Sequence, residues 1–509
     1  MVEKHKMARL RNLLYFRQLA LSVICLLLIV IFNSRLNFTR AENTSLTVAT
    51  EPTFPPFEMS APDGSGLKGF DIDLMQAIGQ EAGFKLNFES LPFDGIIPAL
   101  RSGKIDGAIS AMTITAKRAQ TVSFSRPYFK SGLAIAVKNS NQDIDSIKTL
   151  SNRKVAVQIG TTGAQAVQKI PDVEIITFDT AFLALQELIN GKVDAVVNDA
   201  PATLYAIKKG KLKNIKIVSE LLTEEYYGIA LPRNSPYLDT INNALLTLIE
   251  DGTYQEIYQR WFSGEPPPLP PIAPVLKTVT TNSINLSTIF TNLLKGTLIT
   301  LQLTISSAFL GMIGGSMIAL ARISPYTLLQ WLSRAYIDFF RGTPLLVQIF
   351  MLYFGLPAFL EGLGLNFNLE RLPAAISALS LNASAYIAEI VRGGIQSVEK
   401  GQWEASQSLG MNYIQTMRHV IFPQAFRRML PPLGNEFITL LKDTSLVAVI
   451  GFEELFRESQ LIVATTYRAF EIYAAVALIY LSLTLIASWA FSWLEKRLNP
   501  IEYTKRAEN

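Results

Sequence analysis

The chain has 509 residues, of which 49% are apolar and 17% are charged, and its formal net charge is +4. Its mean hydropathy is positive, which is unusual for a wholly soluble protein and indicates membrane segments. A single cysteine, Cys25, excludes an intrachain disulfide, and the only histidines, His5 and His419, exclude a histidine-rich metal site or a serine–histidine catalytic pair. The small charge gives no indication of nucleic-acid binding, and no metal or cofactor is expected.

Residues 1–43 are typical of a targeting segment. Several basic residues precede an unbroken apolar run from Leu19 to Phe32. This run is short for a spanning helix and suits a signal peptide, but a retained signal anchor stays open because Thr39 and Ala41 form a mediocre cleavage site. Either form delivers the following domain to the outside.

Residues 44–264 have the pattern of a soluble α/β domain. Short β-branched runs such as Leu46–Ala49 and Val155–Gln158 alternate with helical segments such as Ile72–Ala82. Two extended stretches, Gly132–Val137 and Tyr227–Leu231, are candidates for crossing between two lobes. A stiff, proline-rich linker is predicted at 265–285.

Residues 286–509 are dominated by long apolar segments and predict an all-α membrane domain with five spans. Each segment covers about 30 Å of hydrocarbon at helical rise. Basic residues concentrate in the loops that alternating topology assigns to the cytoplasm, which predicts a multi-pass plasma-membrane protein with an outer binding domain and a cytoplasmic C-terminus. The predicted spans are Leu298–Ala321, Ala335–Leu360, Leu372–Val391, Phe437–Phe456 and Ile472–Trp493.

Four side chains in the α/β domain have the chemistry that an amino-acid ligand requires. The planar guanidinium of Arg118 suits a carboxylate, Asp199 suits an ammonium group, and Phe54 and Phe93 suit an aliphatic side chain. Each also has an ordinary structural explanation. Arg118 could be a solvated surface arginine, Asp199 could cap the helix that starts near Pro201, and both phenylalanines could be core residues.

The domain resembles the polar amino-acid binding proteins of ABC importers. This resemblance implies a two-lobed α/β fold of the periplasmic-binding-protein-like type II. The match is nearly continuous from Ala49 to Phe262, and it is strongest at Glu51–Glu58, Gly69–Leu74, Phe93–Leu100, Met112–Thr115, Phe124–Tyr128, Val157–Gly163 and Gly252–Tyr254.

The resemblance also implies roles for individual residues. The carboxylate of a free amino acid would bind Arg118, Thr113 and the backbone of Thr162, whereas its ammonium group would bind Asp199 and the carbonyl of Ala111. Phe54 and Phe93 would stack on the side chain, Glu51 would face its far end, and Gln158 replaces a lysine found in some glutamine receptors.

The substrate prediction depends mainly on Glu51. A carboxylate at this place favours a ligand whose far end donates hydrogen bonds or is positively charged, and it disfavours glutamate and aspartate. Basic amino acids or glutamine are therefore expected. The alternative is that Glu51 pairs with another side chain and does not contact the ligand.

The apolar part, from about Asn292 to Trp493, resembles ABC importer permeases of the amino-acid branch. Phe340–Leu346 and Lys442–Leu446 match that branch. A further segment resembles the loop that docks into the ATPase, with Ser406 in place of the usual second alanine. The matching positions of this predicted coupling loop are Glu404, Ala405, Gly410 and Pro423.

No phosphate-binding Gly-x-x-x-x-Gly-Lys-Ser/Thr sequence occurs, so the resemblance implies a transporter subunit powered by a separate ABC ATPase rather than an enzyme. Relatives work as pairs, which predicts a homodimer in the bilayer. The alternative is a ligand-gated channel or sensor with an amino-acid receptor domain. In such receptors a pore segment separates the lobes, whereas the α/β domain here is uninterrupted.

Overall fold

The computed structural model describes residues 45–61, 63–64, 66–209, 212–218, 221–274, 286–365, 367 and 369–498. The predicted targeting segment at 1–43 lies outside these residues. So does the second part of the predicted linker, at 275–285.

The first half of the chain forms two lobes, each built on a five-stranded sheet. The strands are β1 (Ser45–Thr50), β2 (Thr53–Phe54), β3 (Glu58–Ser60), β4 (Leu67–Lys68), β5 (Lys85–Ser90), β6 (Gly107–Ala108), β7 (Val122–Phe124), β8 (Phe129–Ser131), β9 (Leu133–Lys138), β10 (Lys154–Gln158), β11 (Glu174–Phe178), β12 (Ala195–Asp199), β13 (Ile215–Ile217), β14 (Glu225–Tyr227) and β15 (Ala230–Pro232). The strand order is β5-β1-β6-β15-β7 in lobe 1 and β11-β10-β12-β9-β13 in lobe 2.

Each sheet has a parallel centre and antiparallel margins. In lobe 1, β1 pairs in parallel with β5 and β6, and in lobe 2, β10 pairs in parallel with β11 and β12. The apolar residues of β10 and β12 are fully buried because helices cover both faces of a parallel sheet. The helices of these lobes are α1 (Phe70–Ala82), α2 (Phe93–Arg101), α3 (Ala116–Ala119), α4 (Thr162–Val167), α5 (Ala181–Ile189), α6 (Ala200–Lys208), α7 (Leu238–Glu250) and α8 (Thr253–Trp261), with a 3₁₀ turn at Ile147–Leu150.

The chain crosses between the lobes at a two-stranded antiparallel ladder formed by β8 and β14. The stretches predicted to cross begin slightly too late. Gly132–Val137 lies mostly in β9 of lobe 2, and Tyr227–Leu231 leads from β14 into β15 of lobe 1. The residue pattern identified these segments as extended. Which of two successive extended segments crosses between the lobes depends on the strands with which each one pairs, and the pattern does not contain that information.

The second half is helical. Two π-helical turns lie at Met351–Gly355 and Met417–Ile421, and a 3₁₀ segment lies at Thr444–Ile450. The helices are α9 (Leu286–Ile323), α10 (Thr327–Gly342), α11 (Leu345–Phe350), α12 (Leu356–Gly362), α13 (Arg371–Gln396), α14 (Lys400–Ser408), α15 (Tyr413–Thr416), α16 (Phe422–Asp443), α17 (Leu455–Thr466) and α18 (Ala469–Leu498).

Three predicted spans coincide with single long helices, namely α9, α13 and α18. The second predicted span is bent by 107° between α10 and the segment that begins at Leu345. The break falls at Thr343, which is extended because the following Pro344 disfavours helical backbone at the residue before it.

The fourth predicted span, Phe437–Phe456, is divided among α16, the 3₁₀ segment and α17. The 3₁₀ segment ends at Gly451, whose φ of +69° lies in the left-handed region. Within the described residues, three helices are long and apolar enough to cross a membrane, or four if the bent pair counts as one span. The count of five is not confirmed.

The two-lobed first half, which the sequence predicts to be the binding half, contacts the helical half directly at the ends of its helices. Lys192 of lobe 2 donates to the carbonyl of Tyr353 at 2.8 Å, and the Tyr353 hydroxyl donates to Glu187 at 2.7 Å. Arg371, the first residue of α13, forms an ion pair with Glu174 at 3.4 Å. The binding half therefore rests on one end of the helical half.

Aromatic packing around Phe57 stabilises lobe 1 and the crossing ladder together. Phe57 is fully buried, and its ring centroid lies 4.9 Å from that of Phe129, 5.3 Å from that of Tyr227 and 5.4 Å from that of Phe262. Edge-to-face contacts of this kind add to the free energy of burying the rings.

We expect Phe57→Ala to lower the free energy of unfolding of the binding half by about 3–5 kcal/mol, because it leaves a cavity among rings that cannot collapse around it. Denaturant titration of the full chain measures this loss. The matched control is Phe182→Ala, which removes a ring that is 52% exposed and is expected to change stability by less than about 0.5 kcal/mol. Equal effects of the two substitutions would contradict the assignment of Phe57 to the central core.

Candidate functional site

A narrow cavity of about 20 Å³ lies between the lobes, so the cleft is almost closed in this structure. All nine residues predicted to bind substrate line it: Glu51, Phe54, Phe93, Ala111, Thr113, Arg118, Gln158, Thr162 and Asp199. The sequence reasoning missed its other lining residues, which are Glu58, Ser110, Thr161 and Asn198.

Arg118 is positioned by the short helix α3, which Thr115 caps by accepting from the Arg118 backbone N–H at 3.2 Å. Its side chain is 1% exposed, so it is not a solvated arginine. One terminal nitrogen donates to the carbonyl of Thr113 in lobe 1 at 2.7 Å, and the other donates to the carbonyl of Gly160 in lobe 2 at 2.9 Å. The buried Nε has no hydrogen-bond partner among the described residues, which leaves a charged donor for an anionic group.

Asp199 ends β12 on the opposite lobe and is also buried. It is the N-cap residue directly before α6, but its side chain forms no capping hydrogen bond and accepts from the hydroxyl of Tyr227 instead. Burial, followed by the charge of Glu225, raises the pKa of Asp199 to about 7. A cationic group in the cavity would favour the ionised form.

Thr113 and Thr162 both donate to the same carboxylate oxygen of Glu225, at 2.8 Å and 2.9 Å. Glu225 belongs to the crossing strand β14 and is 8% exposed. The sequence reasoning did not identify it. The available signal is its position two residues before Tyr227, which puts both side chains on the same face of a strand. That face is known to border the cleft only once the crossing ladder is known.

Glu51 follows β1 and is 4% exposed. Its carboxylate accepts from Thr53 at 2.6 Å and from the amide of Gln158 in lobe 2 at 2.7 Å. Burial raises its pKa to about 7. Glu51 therefore pairs with other side chains, which was the alternative to a role in ligand binding, and it also lines the cavity.

Ala111 has a φ of +42°, which is uncommon for a residue other than glycine. Its N–H donates to the carboxylate of Asp71 at 2.7 Å, and the same oxygen accepts from the hydroxyl of Tyr128 at 2.7 Å. A fully buried carboxylate thus holds the backbone of Ala111 in its strained conformation at the cavity wall.

The two aromatic residues predicted to contact the ligand both belong to lobe 1. Phe54 is 8% exposed and stacks on Phe57 with ring centroids 6.0 Å apart, so it is a core residue that also lines the cavity. Phe93 begins α2, and its ring centroid lies 5.2 Å from the guanidinium carbon of Arg118. This distance allows a cation–π interaction.

The predicted coupling loop lies at the end of α13 that is remote from the binding half. Because α13 begins at Arg371 and has 26 residues, the loop is roughly 39 Å away at helical rise. Glu404 and Ala405 are exposed on α14, Gly410 has a φ of +79°, and Pro423 is the second residue of α16.

Beside these four residues, the loop exposes large apolar side chains. Leu409 is 81% exposed and Ile414 is 74% exposed. Ser406 is buried, and its hydroxyl bonds to the carbonyls of Gln402 and Trp403 within its own helix.

Comparisons with known proteins assign each half of the chain. Residues 46–264 match the bacterial extracellular solute-binding proteins, family 3, and residues 311–500 match the binding-protein-dependent transport system inner membrane component. Together with the two lobes and the apolar helices, these matches define a solute-binding domain joined to the membrane part of a transport system.

Curated relatives match the permease half. The probable amino-acid ABC transporter permease protein YckA of Bacillus subtilis (strain 168) is 44% identical over 208 residues, which are 41% of this chain and 89% of the relative. The glutamine transport system permease protein GlnP of Escherichia coli (strain K12) is 42% identical over 201 residues, which are 39% of this chain and 90% of the relative. The chain belongs to the family of amino-acid ABC transporter permeases, and it carries a substrate-binding domain in the same polypeptide.

Among solved structures, an ancestral arginine-binding protein bound to arginine is 46% identical, with a TM-score of 0.43. The match covers 44% of this chain and 100% of that one.

Proposed function

We propose that this chain imports basic amino acids, glutamine, or both, as the combined substrate-binding and membrane-spanning subunit of an ABC importer. The observation that supports this most strongly is the buried pair of opposite charges in the cleft, Arg118 and Asp199. A free amino acid has the complementary carboxylate and ammonium groups, so its binding would neutralise both at once.

The substrate class follows from Glu51. A buried carboxylate at the far side of the cavity favours a ligand that ends in a guanidinium, an ammonium or an amide N–H group. An acidic ligand would bring a second negative charge beside Glu51. The relative GlnP is named for glutamine transport, which agrees with an amide-bearing ligand.

The energy source in this proposal is a separate ABC ATPase at the cytoplasmic face, so the chain needs no cofactor of its own. The exposed coupling loop supports this arrangement. In this proposal its large apolar side chains lie at the cytoplasmic face, where a docked ATPase would cover them. The binding half would then be extracytoplasmic, on the plasma (inner) membrane, and the C-terminus cytoplasmic.

We also propose that the chain works as a homodimer. Three or four described spans are too few to enclose a transport pathway comfortably, and only 33% of the apolar window of α9 and 11% of that of α18 are buried within one copy. A second copy and lipid would cover these faces.

The first test is the binding of each of the twenty amino acids to the purified full chain, with Arg118→Lys as the variant. We expect basic amino acids or glutamine to bind and the variant to lose roughly 10- to 100-fold in affinity, because a lysine keeps the charge but not the planar fork. Arg260→Lys, at a side chain that is 60% exposed, is the matched control and should bind normally. Unchanged affinity in Arg118→Lys would refute the carboxylate assignment.

The second test counts the protons that are released when the ligand binds, because this number distinguishes a basic ligand from glutamine. Asp199 and Glu51 both have a pKa of about 7 in the empty site, so a ligand cation that favours their ionised forms releases protons on binding below that pH. Affinity should therefore rise as the pH increases towards 7 and level off above it. At pH 6 we expect arginine to release more protons than glutamine, because only arginine also places a cation beside Glu51.

Calorimetry in buffers of different ionisation enthalpy counts these protons. Glu51→Gln should remove the difference between the two ligands and weaken arginine more than glutamine. Equal proton release by arginine and glutamine in the unmodified chain would contradict the placement of Glu51 at the far end of the ligand.

The third test addresses the coupling loop. Leu409→Asp should weaken association with the ATPase and lower transport, because it puts a charge into an apolar contact, while amino-acid binding stays unchanged. Co-purification with the ATPase and uptake in reconstituted vesicles measure these effects. Leu204→Asp, at a 42%-exposed leucine of lobe 2, is the control, and equal losses in both variants would argue against a specific docking loop.

A further inference from the structure

A single helix of the permease half, α17, contacts both lobes of the binding half. Near its first end, Arg457 is fully buried. Its guanidinium donates to the carboxylate of Asp179 and, at 2.6 Å, to the carbonyl of Thr177, both in lobe 2. A third bond, from the same guanidinium to the Thr177 hydroxyl at 3.3 Å, makes this a specific contact rather than a loose surface pair.

The other end of α17 contacts lobe 1. The carbonyl of Tyr467, the residue that follows this helix, accepts from Arg101 at 2.8 Å. The Tyr467 side chain is 6% exposed and packs in the hydrophobic cluster of lobe 1 with Ile97 and Leu100. A twelve-residue helix is rigid over its length of about 18 Å, so α17 sets the distance between the two lobes that it contacts.

The two lobes and the permease meet at Gly160 of lobe 2. A Cβ atom at this glycine would lie 3.4 Å from the Cβ of Asp94 in lobe 1 and 3.6 Å from the Cβ of Ala464 in α17. This three-way contact exists only while the lobes are together, because Asp94 and Gly160 belong to different lobes.

Closure also brings two carboxylates from opposite lobes near each other, Asp94 and Asp179. Burial and then the charge of Asp179 raise the pKa of Asp94, the charge of Arg457 lowers it, and the net pKa is about 6. The mutual repulsion of the two aspartates opposes closure, and the guanidinium of Arg457 offsets that repulsion.

The same aspartate is connected to the candidate ligand site. The amide of Gln158 donates to the backbone carbonyl of Asp179 at 3.1 Å and to the carboxylate of Glu51 at 2.7 Å. Two hydrogen bonds thus join the residue that contacts the permease to the residue that faces the far end of the cavity.

We propose that α17 is the surface on which the permease recognises the closed binding domain, with Arg457 as the group that binds Asp179 of lobe 2 and offsets its repulsion of Asp94 in lobe 1. This inference rests on the proposed function, since it concerns when the loaded domain engages the permease. Docking on α17 stabilises the closed form, and by thermodynamic reciprocity it tightens amino-acid binding in the full chain.

The test is the amino-acid affinity of the full chain in lipid nanodiscs, measured by calorimetry for four proteins. Arg457→Ala should weaken affinity about tenfold, because closure then leaves two aspartates without their cation. Adding Asp94→Asn to Arg457→Ala should restore most of the affinity, because it removes the repulsion. Arg468→Ala, at an exposed arginine just beyond α17, removes the same charge from the same face and should have no effect.

The rescue separates an electrostatic role from simple misfolding, because a damaged helix would not be repaired by a substitution in lobe 1. Should Arg457→Ala fail to fold, Arg457→Gln removes the same cation with a side chain of more similar size and is expected to weaken affinity similarly. Affinity unchanged in both variants, or weakened without rescue by Asp94→Asn, overturns the inference and leaves the proposed function standing. Absence of any amino-acid binding by the unmodified chain overturns both.

Discussion

The structure depends on the burial of opposite charges between two lobes. Removing Arg118, Asp199 and Glu51 from water is costly, and the protein offsets that cost only in part. Backbone carbonyls accept from Arg118, and Tyr227 and Gln158 donate to the two carboxylates. The charges of these side chains remain only partly neutralised. A zwitterion is the smallest common ligand that has a group of opposite charge for both the guanidinium and the carboxylate.

Because the partners of these charges come from opposite lobes, the function proposed above couples ligand capture to lobe closure. Arg118 bonds to Thr113 on its own lobe and to Gly160 on the other, and Glu51 bonds to Gln158 in the same manner. The bonds across the cleft, from Arg118 to Gly160 and from Gln158 to Glu51, require the closed arrangement, so a ligand that strengthens the site would also favour closure.

The helical half separates two contact regions by the length of a spanning helix. The binding half rests at Arg371 and around α17, whereas the exposed apolar loop near Leu409 lies at the far end of α13. Between them, the helices are interrupted at Pro344, whereas the interruption at Gly451 lies beside Arg371, whose guanidinium donates to the Gly451 carbonyl at 3.1 Å. Such interruptions are tolerated inside a membrane only where neighbouring protein satisfies the freed backbone groups, which makes them positions where packed helices can rearrange.

The sequence by itself determined the α/β character of the first half, the apolar helices of the second and all nine residues of the cavity that it predicted, because hydrophobic periodicity and short motifs are local properties. The tertiary structure alone decided which strands cross between the lobes, that Glu225 joins Thr113 and Thr162, and that two predicted spans are broken. It also brought Arg457 to Asp179, although 278 residues separate them along the chain. Pairing, bending and domain contact depend on residues distant in sequence, and no local pattern encodes them.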